Sequence, residues 1–323
     1  MKAVVQHEYG GTDRWEVGDV PEPVPDRDQV LVRVHAAGVD RGVWHVMTGL
    51  PLAGRLAFGL RRPKQPVVGM DLAGVVEAVG PDVTRFAVGD PVLGAGTGTF
   101  AELALAREKH LVAKPAGLSY EEAAALPVSA LTALHGLRDT GRVQKGQRVL
   151  IVGASGGVGT YAVQLARAFG AEVAGVCRTS KVEGVRALGA DPVVDYTRED
   201  PLDLGPRFDL VLDIGGDRSL GQLRRMLVPG GTLVLVGGEG GGRLIGSLRR
   251  SLAAVLVSPF VKQRLAMFLS LTKAEDLQLL ADMAERGEIR PVVARAYPLD
   301  AAREALDALV AGDVLGKAVV TVR

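Results

Sequence analysis

The sequence predicts an α/β protein of two domains, a β-rich domain into which a doubly wound, largely parallel sheet is inserted. Three observations carry this. A chain of 323 residues, 47% of them hydrophobic, is long enough for two buried cores. Residues 1–118 read as short strands broken by Gly and Pro, whereas residues 119–258 alternate apolar strands with helices, the pattern of a parallel sheet covered on both faces. Residues 259–323 shift composition again and close on an apolar strand, so the chain is expected to return to its first domain.

In the first domain Val30–Val34 and Gly74–Gly80 are strands, the latter bounded by glycines. Pro21, Pro23 and Pro25 mark an irregular connection, and Gly89-Asp90 is a turn entering a strand at Pro91-Val92-Leu93. Ser119 followed by Glu122 matches a capping box that opens a helix. Then come a strand at Val149–Val152, a helix at Thr160–Phe169 stopped by Gly170, a strand at Glu172–Val176, and a helix at Lys181–Leu188 stopped by Gly189. Leu210–Leu212 and Leu233–Val236 are further strands. Leu252–Val257 reads as an edge strand whose pairing with a symmetry mate makes a homodimer. Helical stretches are expected around Gln263–Leu271 and Lys273–Arg286, then Val292-Val293, Leu299–Leu309 and a closing strand at Ala318–Val322.

Composition excludes several classes. Lys plus Arg number 38 and Asp plus Glu 37, a net charge of +1, so there is no electrostatic case for nucleic acid or an anionic membrane as partner. Cys177 is the one cysteine, which rules out an internal disulfide and a four-cysteine zinc site. Met1–Val5 is followed at once by polar residues rather than an apolar signal core. The run at Leu252–Val257 is far short of the ~20 residues that span a bilayer. A cytoplasmic protein is expected.

Gly153-Ala154-Ser155-Gly156-Gly157-Val158-Gly159 lies between a strand and a helix. Glycines there let backbone N–H groups approach a pyrophosphate, and the helix N-terminus favours its negative charge. Strand, loop, helix and following strand occur in the required order. The adenine ribose is read at the end of that following strand. An NAD site places an acid there. This chain has Arg178-Thr179-Ser180-Lys181 after Cys177, two cations and two hydroxyls suited to a 2′-phosphate. NADPH is therefore expected over NADH.

The order of these features resembles the medium-chain dehydrogenase/reductase superfamily, and within it the zinc-independent quinone oxidoreductase branch. The resemblance runs through Gln29–Gly38, Pro66–Val76, Gly89–Val92, Leu131-Thr132-Ala133, the glycine loop and Gly316–Val320. It implies a GroES-like β-barrel catalytic domain formed by both ends of the chain, and a Rossmann cofactor domain. The implied activity is hydride transfer from NADPH to a small-molecule electron acceptor, a quinone or an α,β-unsaturated carbonyl. An enoyl thioester reductase and an NADPH-binding protein without turnover are the alternatives. It also implies nicotinamide-side contacts from Asp40, Trp44 and Thr132, and 2′-phosphate contacts from Arg178 to Lys181 and Tyr196. Val236-Gly237-Gly238 would flank the nicotinamide, and Lys317 would lie near the cofactor.

Zinc dehydrogenases of the superfamily carry Cys where Asp40 stands and His-Glu where Met70-Asp71 stand. No metal is expected, because Met is a poor zinc ligand. The branch commonly has Asn at Asp40 and Tyr at His45. The catalytic candidates are His45, as a donor to an oxyanion or an enolate near its ordinary pKa of ~6.5, and Asp40, as a ribose contact or an orienting group for His45. Each has a plainer reading: His45 as site lining, Asp40 as a loop cap. Trp44 has the same ambiguity as Phe58, either a wall for a flat substrate or core.

Overall fold

The computed structural model describes residues 1–205, 207–216, 218–237, 242, 244–246, 248–268 and 270–322. The chain forms two compact units, Met1–Leu131 with Thr272–Arg323, and Thr132–Leu271.

The first unit runs β1 (Lys2–Val5), β2 (Glu16–Asp19), β3 (Gln29–Val39), α1 (Arg41–Thr48), α2 (Arg55–Phe58), β4 (Asp71–Val79), β5 (Pro91–Ala95), β6 (Leu103–Arg107), β7 (Leu111–Ala113), α3 (Tyr120–Ala124) and α4 (Pro127–Leu134), whose last turn enters the second unit. The long strand β3 organises the main sheet. Its first half pairs antiparallel with β4 and β6, and its second half with β4 and the C-terminal strand. Hydrogen bonding on so many sides buries most of β3, which explains its nearly unbroken apolar sequence.

The second unit contributes β8 (Arg148–Val152), α5 (Gly157–Ala168), β9 (Glu172–Cys177), α6 (Val182–Ala187), β10 (Val193–Asp195), β11 (Phe208–Asp213), α7 (Leu220–Arg225), β12 (Leu227–Leu235), α8 (Leu248–Val257) and β13 (Arg264–Met267). Its six strands lie in the order β10-β9-β8-β11-β12-β13, all parallel. The chain then returns to the first unit with α9 (Ala274–Glu285), β14 (Val293–Pro298), α10 (Ala302–Ala311) and β15 (Lys317–Thr321), and β15 pairs with β3. The expected return of the C-terminus is thus a backbone ladder.

Three expectations need correction. Leu252–Val257 is the C-terminal part of helix α8, not an edge strand. Ala254 is buried, while Leu252, Val255 and Leu256 are exposed, so the segment turns with helical rather than strand periodicity. The edge position belongs to β13, inside the Gln263–Leu271 stretch expected to be helical. Finally, the units divide after Leu131 and Leu271, later than the expected boundaries at 118 and 258. Helix α3 packs on β3 and β4, and the Val128 N–H donates to Asp71 Oδ1 at 3.2 Å, which ties this stretch to the first unit. No helix among the described residues is long and apolar enough to cross a membrane.

Candidate active site

The second unit presents the dinucleotide loop. Strand β8 ends at Val152, and Gly153 reverses the chain with φ +87°, a conformation that favours glycine. The N–H groups of Gly153 and Ala154 both donate to the Val176 carbonyl, at 3.2 and 3.0 Å, so the loop is tied to β9. A Cβ at Gly159 would collide with the Gly153 carbonyl oxygen, so helix and loop pack this closely only with glycine there. Gly156 caps α5, leaving the first-turn N–H groups of Gly157, Val158 and Gly159 without acceptors inside the helix. Ala154 is fully buried and packs beneath Gly175, whereas Ser155 is half-exposed. Val236 and Gly237 donate backbone N–H bonds to the Asp213 carbonyl at 2.9 and 3.3 Å, which places this backbone at the same C-terminal end of the sheet. Gly238 lies outside the described residues, and Thr132 is half-buried in α4.

The basic loop after β9 divides into two sets. Thr179 Oγ1 donates to Asp195 Oδ2 at 2.6 Å, which commits its proton, and Lys181 is buried. Asp195 also accepts from the N–H and hydroxyl of Thr197. The Thr179 bond is the main reason its carboxyl stays below the usual carboxylate range. Arg178 is half-buried and forms no ion pair among the described residues. Ser180 is exposed, and Tyr196 is 49% exposed. The groups left to face an anion are therefore Arg178, Ser180 and Tyr196. Asp195 was not foreseen: the parallel register Asp195↔Cys177 carries it to the loop from 16 residues beyond Thr179.

In the first unit Asp40 follows β3 directly and precedes α1. Its side chain does not cap the helix. It turns inward, accepting from Ser129 Oγ at 2.8 Å and from Lys317 Nζ at 2.5 Å. Lys317 Nζ also lies 3.5 Å from Asp71 Oδ2 and 3.2 Å from Ser129 Oγ. Asp71 is 0%, Lys317 1% and Asp40 6% exposed. The ammonium of Lys317 is thus committed to partners of its own unit. Ser129 and Asp71 complete the cluster.

His45 lies half-buried on α1, edge-on to Trp44 at 5.0 Å between ring centroids. Its Nδ1 is 2.8 Å from the Leu50 carbonyl oxygen. A carbonyl only accepts, so Nδ1 carries the proton and the neutral ring offers Nε2 as an acceptor. Burial pushes the His45 pKa below its ordinary value, and Arg41 adds to this. The neutral ring therefore accepts at Nε2, and His45 donates there only when protonated. Trp44 packs partly into the core, with Arg41 stacked over its ring.

Comparison with known proteins fixes the family. Residues 26–116 match the alcohol dehydrogenase GroES-like domain, and residues 188–320 match the zinc-binding dehydrogenase family. The quinone oxidoreductase of Mus musculus is 31% identical over 331 residues, covering 97% of this chain and 95% of that protein. The chain belongs to the medium-chain dehydrogenase/reductase superfamily. Within it the chain is an oxidoreductase of the quinone oxidoreductase-like branch, with a GroES-like domain and a Rossmann-type domain. The 2-methylene-furan-3-one reductase of Solanum lycopersicum is 32% identical, with 99% and 79% of the two chains covered. The solved quinone oxidoreductase of Coxiella burnetii superposes with a TM-score of 0.88 at 28% identity, covering 100% of this chain and 99% of that one.

Proposed function

We propose that the protein is an NADPH-dependent, zinc-independent reductase that passes a hydride to a small quinone or α,β-unsaturated carbonyl, and that it acts as a homodimer. The observation that carries the cofactor reading is the Gly153–Gly159 loop with Arg178, unpaired among the described residues, at the end of the next strand. The loop and first turn of α5 supply backbone N–H groups for a pyrophosphate. Arg178, Ser180 and Tyr196 supply a cation and hydroxyls for a 2′-phosphate. Bound NADPH supplies the hydride; the protein's part is orientation and the handling of charge on the acceptor oxygen. His45 provides a proton when its ring is charged. Similarity to an enone reductase and a quinone oxidoreductase supports this acceptor class.

The donor set argues against zinc. The Lys317 ammonium already stands between Asp40 and Asp71, where a second cation would be repelled. The neighbouring Met70 thioether is a poor zinc ligand. Elemental analysis should find no stoichiometric zinc, and chelation should leave turnover unchanged. Stopped-flow oxidation of NADPH and NADH against a panel of small quinones and enones tests the whole reading. Fast NADPH oxidation is expected with at least one class; NADPH binding without turnover on either would leave a binding protein.

A further inference from the structure

Asp40, Asp71 and Lys317 form a buried charge cluster just ahead of α1 that the proposed hydride transfer and dinucleotide binding do not account for. Two carboxyls, Asp40 and Asp71, share one ammonium, Lys317. Each leaves one buried oxygen, Oδ2, without a hydrogen-bond donor. Removing an ion from water costs several kcal/mol, and two adjacent carboxylates resist joint ionisation. A single proton between the two carboxyls resolves both problems, because it gives a donor to an oxygen that lacks one and makes the cluster neutral.

We propose that Asp71 holds this proton and donates it in a hydrogen bond to ionised Asp40, so that Asp71 is a positioning residue that fixes Asp40 and, through it, the start of helix α1. The geometry sets which carboxyl is ionised. Asp40 takes the short ammonium contact and the Ser129 hydroxyl, whereas Asp71 has one backbone N–H from Val128 and the longer ammonium contact. Burial and the Asp40 charge hold Asp71 well above the usual carboxylate range; burial also opposes ionisation of Asp40, but Lys317 and the hydrogen bonds outweigh it. Among the described residues, the surrounding elements add no further charge at this point. Strand β5 places Ala95 opposite Asp71, α3 presents the Ala124 carbonyl beside Gly38, and Glu122 of α3 is held in its own capping box. A Cβ at Gly38 would strike that carbonyl and come within 2.9 Å of Asp71 Oδ2, so β3 closes over the cluster. Helix α1, which follows Asp40 directly, carries Trp44 and His45.

Positioning for turnover rests on the reductase reading; the proton itself does not, and the tests separate the two. Difference infrared spectra of the wild type at about pH 7 should show the C=O stretch of a protonated, buried carboxylic acid that is missing in Asp71→Asn. No such band, or a band that persists in Asp71→Asn, overturns the proton assignment whether or not the protein reduces anything. Thermal unfolding across pH gives the second readout. A protonated Asp71 favours the folded state fully at acid pH, and that contribution is lost as pH rises through its elevated value. Asp71→Asn, which keeps a donor toward Asp40, should flatten this alkaline loss, while Asp71→Leu, without a donor, should unfold more readily at every pH. Equal melting of the two variants overturns the hydrogen bond. For turnover, Asp71→Leu should lower kcat roughly tenfold or more by misplacing α1, with NADPH affinity changed less than twofold and the Asn variant restoring most of the rate. A folded Asp71→Leu protein with wild-type kcat overturns the positioning role.

Discussion

The Leu50 carbonyl decides what His45 can do. By holding the proton on Nδ1 at 2.8 Å, it leaves Nε2 bare in the neutral ring, and burial keeps the ring neutral above a pKa already lower than ordinary. If His45 protonates an enolate, enone reduction must therefore fall as pH rises through that lowered value. His45→Phe should abolish this limb, lower enone turnover by about 10²-fold and leave NADPH affinity nearly unchanged. Quinones, whose reduced form is more stable, should be less affected. Wild-type enone rates in the variant would make His45 a lining residue. In the second unit Arg178 is the charge expected to distinguish the cofactors. Losing one charge-assisted bond removes ~1.5–3 kcal/mol, so Arg178→Ala should weaken NADPH at least about tenfold in titrations while sparing NADH. Thr179→Ala should cost less, because the Thr179 proton already belongs to Asp195. The residue types of this loop were legible in the sequence, but their division of labour was not. Asp195 arrives through strand pairing, and no local spacing announces a neighbour on another strand. Asp40 was legible as a special residue for the same limited reason: its position stood out, while its partners Ser129 and Lys317 lie 89 and 277 residues away.

At the level of elements, the glycine loop was the most legible part of the chain, because Gly153 and Gly159 each answer a local steric demand. The loop prediction is correspondingly strict. Gly159→Ala drives a methyl into the Gly153 carbonyl, and overpacking of this kind costs ~1–3 kcal/mol. The pyrophosphate is common to both cofactors, so NADPH and NADH should weaken together, roughly tenfold or more. That contrasts with Arg178→Ala, and selective loss of one cofactor would show that Gly159 does not shape the pyrophosphate site. The strands β8, β9, β11 and β12 were equally legible, since a parallel sheet buried on both faces writes itself as continuous apolar runs. The same rule misleads at Leu252–Val257. A six-residue apolar run is compatible with a strand or a helix, and only the buried Ala254 between the exposed Leu252 and Val255 identifies it as α8. Arg264–Met267 offers the weaker pattern, yet pairs with β12 through four residues in register.

For the whole molecule, this exchange moves the expected dimer contact without removing the physical reason for one. Strand β13 ends the six-strand order, and a sheet edge presents unpaired N–H and C=O groups that invite another strand. Exposed apolar side chains lie beside it in sequence, Leu252, Val255, Leu256 at 72% and Phe260 at 86%, and on the strand itself, Met267. Such a concentration on one segment is unusual for a monomer. A two-fold axis through the edge would pair β13 with its copy and extend the sheet across both protomers, with each apolar side chain meeting its own symmetry mate. Light scattering at micromolar concentration should then give twice the 33.8 kDa chain mass. Leu256→Glu combined with Phe260→Glu places like charges across the axis without touching the buried side of α8. It should yield monomers with an unchanged circular dichroism spectrum and intact NADPH binding, because the glycine loop and Arg178 lie on other elements. A wild-type monomer would remove the dimer altogether, whereas a double variant that stays dimeric would place the contact on a surface other than this edge.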